Sequence, residues 1–360
     1  MTKIALITDT HLGVRNDSPV FYNYFEKSFD FFFDTLKEQN VKTIIHGGDL
    51  YDRRKYLNYV TARLARQQFL GRIHVHGYKT HIICGNHDHY YKDTHMVNSL
   101  DEMVTDKYKP DIETYSMATE ITIDGLDFLL IPWITKSNAE HAYDTIKNTH
   151  AEIVVGHLEL NGFEMFRGMV SDHGDDRKLY NKFDMVMSGH YHHKSSNGNI
   201  HYLGAFMEHT WADYNDPKGF HIFDTETRKL EFYKNPYSIF MMLAYDDVKH
   251  TDIVQKIAAT DYSKCNNKYV KIVCVNRTNQ YAFDMMMDSI YKAGPIDVSI
   301  VEDSNTIADK DDSLGVDETQ DTPTILSKYI ENLTLPVDSA KMITYMKDVY
   351  SEALSVEHVG

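Results

Sequence analysis

Five short apolar runs in this chain each end in aspartate, asparagine or histidine, and that repetition limits the folds open to it. Lys3–Thr8 runs into Asp9-Thr10-His11, and Thr43–Ile45 into His46-Gly47-Gly48-Asp49-Leu50-Tyr51-Asp52. His81–Cys84 runs into Gly85-Asn86-His87-Asp88, Ile153–Val155 into Gly156-His157, and Asp184–Met187 into Ser188-Gly189-His190-Tyr191-His192. Apolar runs this short, closed by polar or glycine residues, read as buried strands. Helical periodicity lies between them: Phe21, Phe25, Phe29, Phe32, Phe33 and Leu36 recur within Pro19–Gln39, and a second helix spans about Asn58–Gly71. Strands alternating with helices imply an α/β fold, and such sheets gather ligands beyond the carboxyl ends of their strands.

The remaining pattern divides the chain. Helices are expected at Met96–Val104 and Asn138–Asn148, and Asp124-Gly125 predicts a hairpin between Glu120–Ile123 and Asp127–Ile131. Strands at Ile200–Leu203, Phe220–Phe223 and Leu230–Tyr233 close a first domain at residues 1–235. Tyr269–Val275, a helix over Tyr281–Ala293 and Ile296–Val301 then predict a small β-α-β domain at residues 236–301. Residues 302–322 read as a disordered linker, because Glu302 to Asp321 holds eight acids, one lysine and almost no apolar residue. Residues 323–360 read as a helical tail, with Met342, Tyr345, Met346, Val349, Tyr350 and Ala353 on one face.

Composition narrows the chemistry. A net charge of −16 argues against a broad surface for bare nucleic acid, although cations would partly neutralise a site built from carboxylates. Cys84, Cys265 and Cys274 have no paired spacing, which points to a reducing compartment and away from a cysteine metal site. No apolar run approaches the roughly 18 residues of a membrane span. The amino terminus enters a strand directly and lacks a signal-peptide pattern, so a cytoplasmic location is expected.

Taken singly, the strand ends have ordinary readings: a helix cap at Asp9-Thr10-His11, turn acids at Asp49 and Asp52, an interior histidine at His157, a turn at Gly85-Asn86. Five together point to one site. Carboxylates, imidazoles and an amide oxygen without thiolate suit manganese, iron or zinc better than a structural zinc. The donors are too many for one ion. Two ions about 3.5–4 Å apart, bridged by a carboxylate, would clamp a phosphate and activate a water. In the third motif, Gly85 turns the chain and the next three residues supply a ligand, a proton carrier and an orienting carboxylate. His190 and His192 alternate as on a strand, which puts both rings on one side.

Asp9-x-His11, Gly48-Asp49-x-x-Asp52, Gly85-Asn86-His87-Asp88, Gly156-His157 and Gly189-His190-x-His192 resemble, in order, the five motifs of the calcineurin-like metallophosphoesterases. Ile131-Pro132-Trp133, the stretch from Gly156 to Phe163 and Asn215-Asp216-Pro217-Lys218-Gly219-Phe220 are similar to the SbcD-type nuclease subunits of DNA double-strand-break repair, above all their T-even-type bacteriophage forms. The resemblance implies a four-layer α/β/β/α sandwich with a small β-α-β capping domain and a helical tail. It implies that Asp9, His11 and His192 hold one Mn2+, that Asn86, His157 and His190 hold the other, and that Asp49 bridges them, with Mg2+, Fe2+ or Zn2+ as alternatives. His87 would contact the scissile phosphate and protonate the leaving oxygen, and Asp88 would orient His87. Where several relatives carry a second phosphate-facing histidine, this chain has Asp52, expected to cap the next helix or pair with Arg53 or Arg54.

The resemblance further implies 3′-to-5′ exonuclease action on duplex ends, cleavage of single strands, a homodimer within a heterotetramer, and an SbcC-type coiled-coil ATPase as partner. That partner would be gripped by Met342, Tyr345, Met346 and Val349. Arg53, Arg54 and Lys55 form the nearest basic cluster and are candidates for contacts to flanking DNA phosphates. A phosphatase or small-molecule phosphodiesterase on the same fold is the main alternative. Against a serine/threonine phosphatase, Asp52-Arg53-Arg54 and Asn86-His87-Asp88 stand where such enzymes tend to have Asp-Arg-Gly and Asn-His-Glu.

Overall fold

Alternation along the first strand decides the layering. In a computed structural model of the chain, which describes residues 2–250, 252–302, 330, 338 and 341–346, Ala5 and Ile7 face a helical layer while Ile4 and Leu6 face a second sheet. The first sheet has the order Leu230–Lys234, Gly219–Asp224, Lys3–Ile7, Thr43–His46, Lys79–Ile83, Ile112–Tyr115. Its last four strands run parallel, and Gly219–Asp224 pairs antiparallel to the first. The second sheet has the order Ser195–Asn197, Ile200–Tyr202, Met185–Gly189, Ile153–His157, Leu126–Ile131, Thr119–Ile123.

Three cores follow. Phe21, Phe25, Phe29, Phe32 and Phe33 of the Pro19–Glu38 helix cover the outer face of the first sheet. Leu6, Ile45, Ile83, Phe128, Val155 and Met187 fill the space between the sheets. Ala142 and Ile146 of the Ala139–Asn148 helix cover the outer face of the second sheet, over Leu129, Val154 and Val186. This is the α/β/β/α sandwich, and it brings the carboxyl ends of the Lys3–Ile7, Thr43–His46, Lys79–Ile83, Ile153–His157 and Met185–Gly189 strands to one end.

Several elements differ from the sequence expectation. Met96–Val104 is not one helix: Thr94–Asn98 pairs with His89–Tyr91 as an antiparallel ribbon, and the Asn98 side chain accepts from Asp101 N–H to start a short helix, Ser99–Met103. The helix expected to stop near Gly71 continues to His76 through a widened turn at Arg66–Leu70. Gly71 sits inside it because a Cβ there would lie 2.4 Å from the Arg66 carbonyl oxygen.

The capping region also gains elements. Phe240–Asp246 and the Ile253–Ala259 helix precede Tyr269–Asn276, Gln280–Ala293 and Asp297–Glu302, giving a three-stranded parallel sheet with its own core around Ile272, Phe283 and Ile290. The chain divides into two compact units, Met1–Asn305 and Thr306–Gly360, so this region belongs to the same unit as the sandwich. Within it, Trp211 meets Phe240 at 4.7 Å between ring centroids, and the Glu208 carboxylate accepts from the N–H groups of Ile239 and Phe240. The expected linker after Glu302 lies outside the described residues, as do Val349, Tyr350 and Ala353 of the expected tail.

Candidate metal centre

Sharp turns after the strands place the side chains. Asp9, His11, Asp49 and His190 hold φ of 50°, 45°, 54° and 85°, left-handed values that L-residues with side chains seldom adopt. Such outliers persist only where surrounding structure enforces them, and they gather at functional sites. Here the enforcing bonds are backbone ones: Asp9 N–H donates to Gly48 C=O at 3.0 Å, and His11 N–H to Asp49 C=O at 3.1 Å. Buried His46 ties the same turns, accepting at Nδ1 from Gly48 N–H and bonding Thr10 Oγ1 through Nε2 at 3.1 Å.

Two donor groups result, with one carboxylate between them. On one side Asn86 Oδ1 lies 2.9 Å from His157 Nε2 and 3.0 Å from His190 Nδ1. On the other, His11 Nε2 lies 3.1 Å from His192 Nε2. Asp49 Oδ2 is 3.3 Å from His157 Nε2 and 3.7 Å from His11 Nε2. Asp9, whose two carboxylate oxygens accept from His190 N–H at 3.2 Å, gathers with Asp49 and His157. Asp9, His11, Asp49, Asn86 and His157 are almost wholly buried.

His190 and His192 reach these groups differently from expectation. The strand ends at Gly189, and the left-handed turn at His190, not a two-residue alternation, sends one ring to Asn86 and the other to His11. Gly85 also acts differently. Its need is close approach, because a Cβ there would lie 2.1 Å from Asp49 Oδ1 and 2.3 Å from Asp49 N.

The electrostatics favour cations. Burial raises the Asp49 carboxyl, but His157, His87 and His11 outweigh it and hold it well below the carboxylate range. Burial disfavours the His157 cation, yet Asp49 and Asp9 override that and lift its pKa to about 9. Burial keeps His11 and His190 neutral, the ligating form. His157 Nδ1–H donates to Gly47 C=O at 2.8 Å, which points Nε2 into the centre, where it would give up its proton to bind an ion, as ligating histidines with an anchored second nitrogen do. The residues therefore fit a pair of divalent ions.

The Asp88 carboxylate accepts from the N–H groups of Gly85 (2.9 Å), Tyr51 (3.2 Å) and Leu50 (3.3 Å), so it ties two turns together. Burial, reinforced by Asp49, raises its pKa to about 6. What His87 Nδ1 meets is the Asp52 carbonyl oxygen, 2.6 Å away. The Asp52 side chain lies 3.6 Å from His11 Nδ1, and the next helix is capped by Asn58 instead.

Arg53, Arg54 and Lys55 follow on the same loop. Arg53 is held within the protein by Asn16, Tyr56 and Asp17, while Lys55 is exposed. In the tail, residues 341–346 are helical and carry Met342, an exposed Tyr345 and Met346. Three contributors have no signal among the strand-end motifs. Trp133 lies over His190, with ring centroids 4.8 Å apart. His209 abuts His11 and His192. Lys218 is buried with Asp213 and Asp216 at 2.8 Å from each. Trp133 and Lys218 stand in stretches that carry the resemblance. His209 lies seven residues past the Ile200–Tyr202 strand, beyond any motif.

The calcineurin-like phosphoesterase family model matches residues 2–194. The chain is 30% identical over 354 residues to Exonuclease subunit 1 of Enterobacteria phage T4, spanning 98% of this chain and 99% of that protein. It is 24% identical over 294 residues to the D subunit of the SbcCD nuclease of Staphylococcus saprophyticus, spanning 71% of this chain and 74% of that one. A solved archaeal phosphodiesterase is 14% identical, with a TM-score of 0.34, over 65% of this chain and 99% of its own. No described helix is long and apolar enough to cross a membrane. The chain is a member of the calcineurin-like phosphoesterase family.

Proposed function

We propose that this phosphoesterase is the nuclease subunit of a DNA-end-processing complex and cleaves phosphodiester bonds with two divalent ions, Mn2+ foremost. The observation that carries the reading is Asp49 Oδ2, set between His157 Nε2 at 3.3 Å and His11 Nε2 at 3.7 Å. One carboxylate shared by two donor groups is the arrangement a bridged ion pair needs. Asp9, His11 and His192 would hold one ion, Asn86, His157 and His190 the other. Bound there, the ions would polarise the phosphate and lower the pKa of water.

The chain's own residues do the rest. His87, half-buried, gives its Nε2 proton to the leaving oxygen while Nδ1 stays bonded to the Asp52 carbonyl, which keeps the ring in one orientation. Asp88 holds the turns carrying Asp49, Asn86 and His87. DNA as substrate and an SbcC-type ATPase as partner rest on the relatives named above. The tail, through Met342, Tyr345, Met346 and Val349, would dock that partner as a helix in a groove.

The test is a Mn2+-dependent assay on end-labelled duplex and single-stranded DNA, wild type against His87→Ala, with and without a candidate ATPase. His87→Ala should lose about 10²–10⁴-fold in kcat. Hydrolysis of phosphoprotein but not DNA would overturn the reading.

A further inference from the structure

His209 is buried against the His11 and His192 side of the centre. Neither ring nitrogen makes a hydrogen bond of good geometry among the described residues. A core histidine kept for packing normally satisfies at least one nitrogen, since an unpaired buried polar atom is destabilising. Its ring centroid lies 5.1 Å from that of His11 and 5.4 Å from that of His192, and the last two are 5.0 Å apart. Three imidazoles binding one ion at about 2.1 Å would place their centroids about 5 Å apart. One nitrogen from each of the three lies within 4.8 Å of the others.

The backbone around His209 is held with equal care. His209 N–H donates to Asp213 Oδ2 at 2.8 Å, and its carbonyl accepts from Arg15 Nε at 3.1 Å. Asp213 also pairs with Lys218, and Lys218 Nζ donates to the His192 carbonyl at 2.7 Å. One buried ion pair thus sets the positions of both His192 and His209.

We propose that His209 is a third imidazole ligand to the ion held by His11 and His192. This rests on the two-ion reading above and extends it to metal choice. A site with three imidazoles takes manganese, iron or zinc in preference to magnesium, which favours oxygen donors. The half built on Asn86, His157 and His190 has no such bias from a third ring.

Metal content measured by equilibrium dialysis against MnCl2 and against MgCl2 tests this, on wild type and on His209→Asn and His209→Phe. Wild type should bind two Mn2+, and each variant should bind one of the two at least tenfold more weakly with the other unchanged. Mg2+ should fill at most one site. Nitrogen hyperfine spectroscopy of Mn2+ in the wild-type protein, with and without 15N-histidine, needs no variant and should count three imidazoles on one ion. Two Mn2+ held by both variants with wild-type affinity, or only two imidazoles on each ion, overturns the proposal. Wild type binding fewer than two Mn2+ would instead remove the two-ion reading.

Discussion

The ammonium of Lys218 donates to the carbonyl oxygen of His192 from 2.7 Å away, and it does so from a fully buried position. Asp213 and Asp216 each lie 2.8 Å from the same nitrogen. Burial would raise the Asp213 carboxyl, but Lys218 and two imidazoles hold it well below its ordinary range. Burial would lower the Lys218 pKa, and the two carboxylates raise it instead.

Lys218→Met leaves two buried acids without their cation, and we expect a loss of about 3–5 kcal/mol in denaturant unfolding. Because Asp213 is depressed in the fold, its contribution is present above its unfolded pKa of about 4 and disappears as pH falls through the folded value. The stability gap between wild type and Lys218→Met should therefore be widest from about pH 5 to 9 and close toward acid. A gap that grows on acidification would refute the pairing.

Gly85→Ala asks whether close approach is the need at this glycine. The added carbon would press on both the Asp49 carboxylate and its amide nitrogen, which cannot both retreat. The Asp49 carboxylate would shift by a sizeable fraction of an ångström, and an error near 1 Å can cost about 100-fold. We expect activity to fall by about that factor, with a wild-type circular dichroism spectrum. Activity within threefold of wild type would show that the turn relaxes at no cost.

Asp52 acts through two different atoms. Its carbonyl meets His87, and its carboxylate lies 3.6 Å from the Nδ1 of His11. Asp52→Ala preserves the carbonyl and removes the acid. It should weaken Mn2+ binding about tenfold, as loss of a ligand's outer partner does, while kcat at saturating metal changes little. A fall in kcat that excess metal does not restore would assign Asp52 to the reaction itself.

The loop that follows offers a contrast between neighbours. Arg53 is tied to Asn16, Tyr56 and Asp17, whereas Lys55 is exposed. Replacing Arg54 and Lys55 together with alanine should make the slope of log affinity for DNA against log salt shallower by about 2, near 0.9 for each lost phosphate contact. Arg53→Ala should lower thermal stability instead. An unchanged salt slope in the double variant would place the DNA elsewhere.

The sandwich and its active end are legible in the sequence because parallel strands can place polar residues usefully only beyond their carboxyl ends. Asp9, Asp49, Asn86 and His190 follow such ends and His157 closes one, so their convergence comes with the fold. What the pattern hides depends on irregular backbone. His190 takes a left-handed turn that a strand pattern does not encode. The ribbon of His89–Tyr91 with Thr94–Asn98 hides in a stretch whose exposed Met96 and Val97 imitate a helix face. His209 comes back through a loop and a single 3-10 turn at Trp211–Asp213, and the Asp213–Lys218 pair that secures it has no local periodicity. Adjacency suggests Asp88 as a partner of the neighbouring ring and says nothing of the three backbone amides it accepts from.

Each donor group draws on both sheets. His11 follows a strand of the first sheet and His192 one of the second, while Asn86 from the first meets His157 and His190 from the second. Ions bound there would work as a clasp across the open end of the sandwich, where the inter-sheet core stops. Metal occupancy and the parting of the two sheets are then one equilibrium. A cavity cut far from the site, at Phe128 between the sheets, would reach the ions by loosening the seam they fasten.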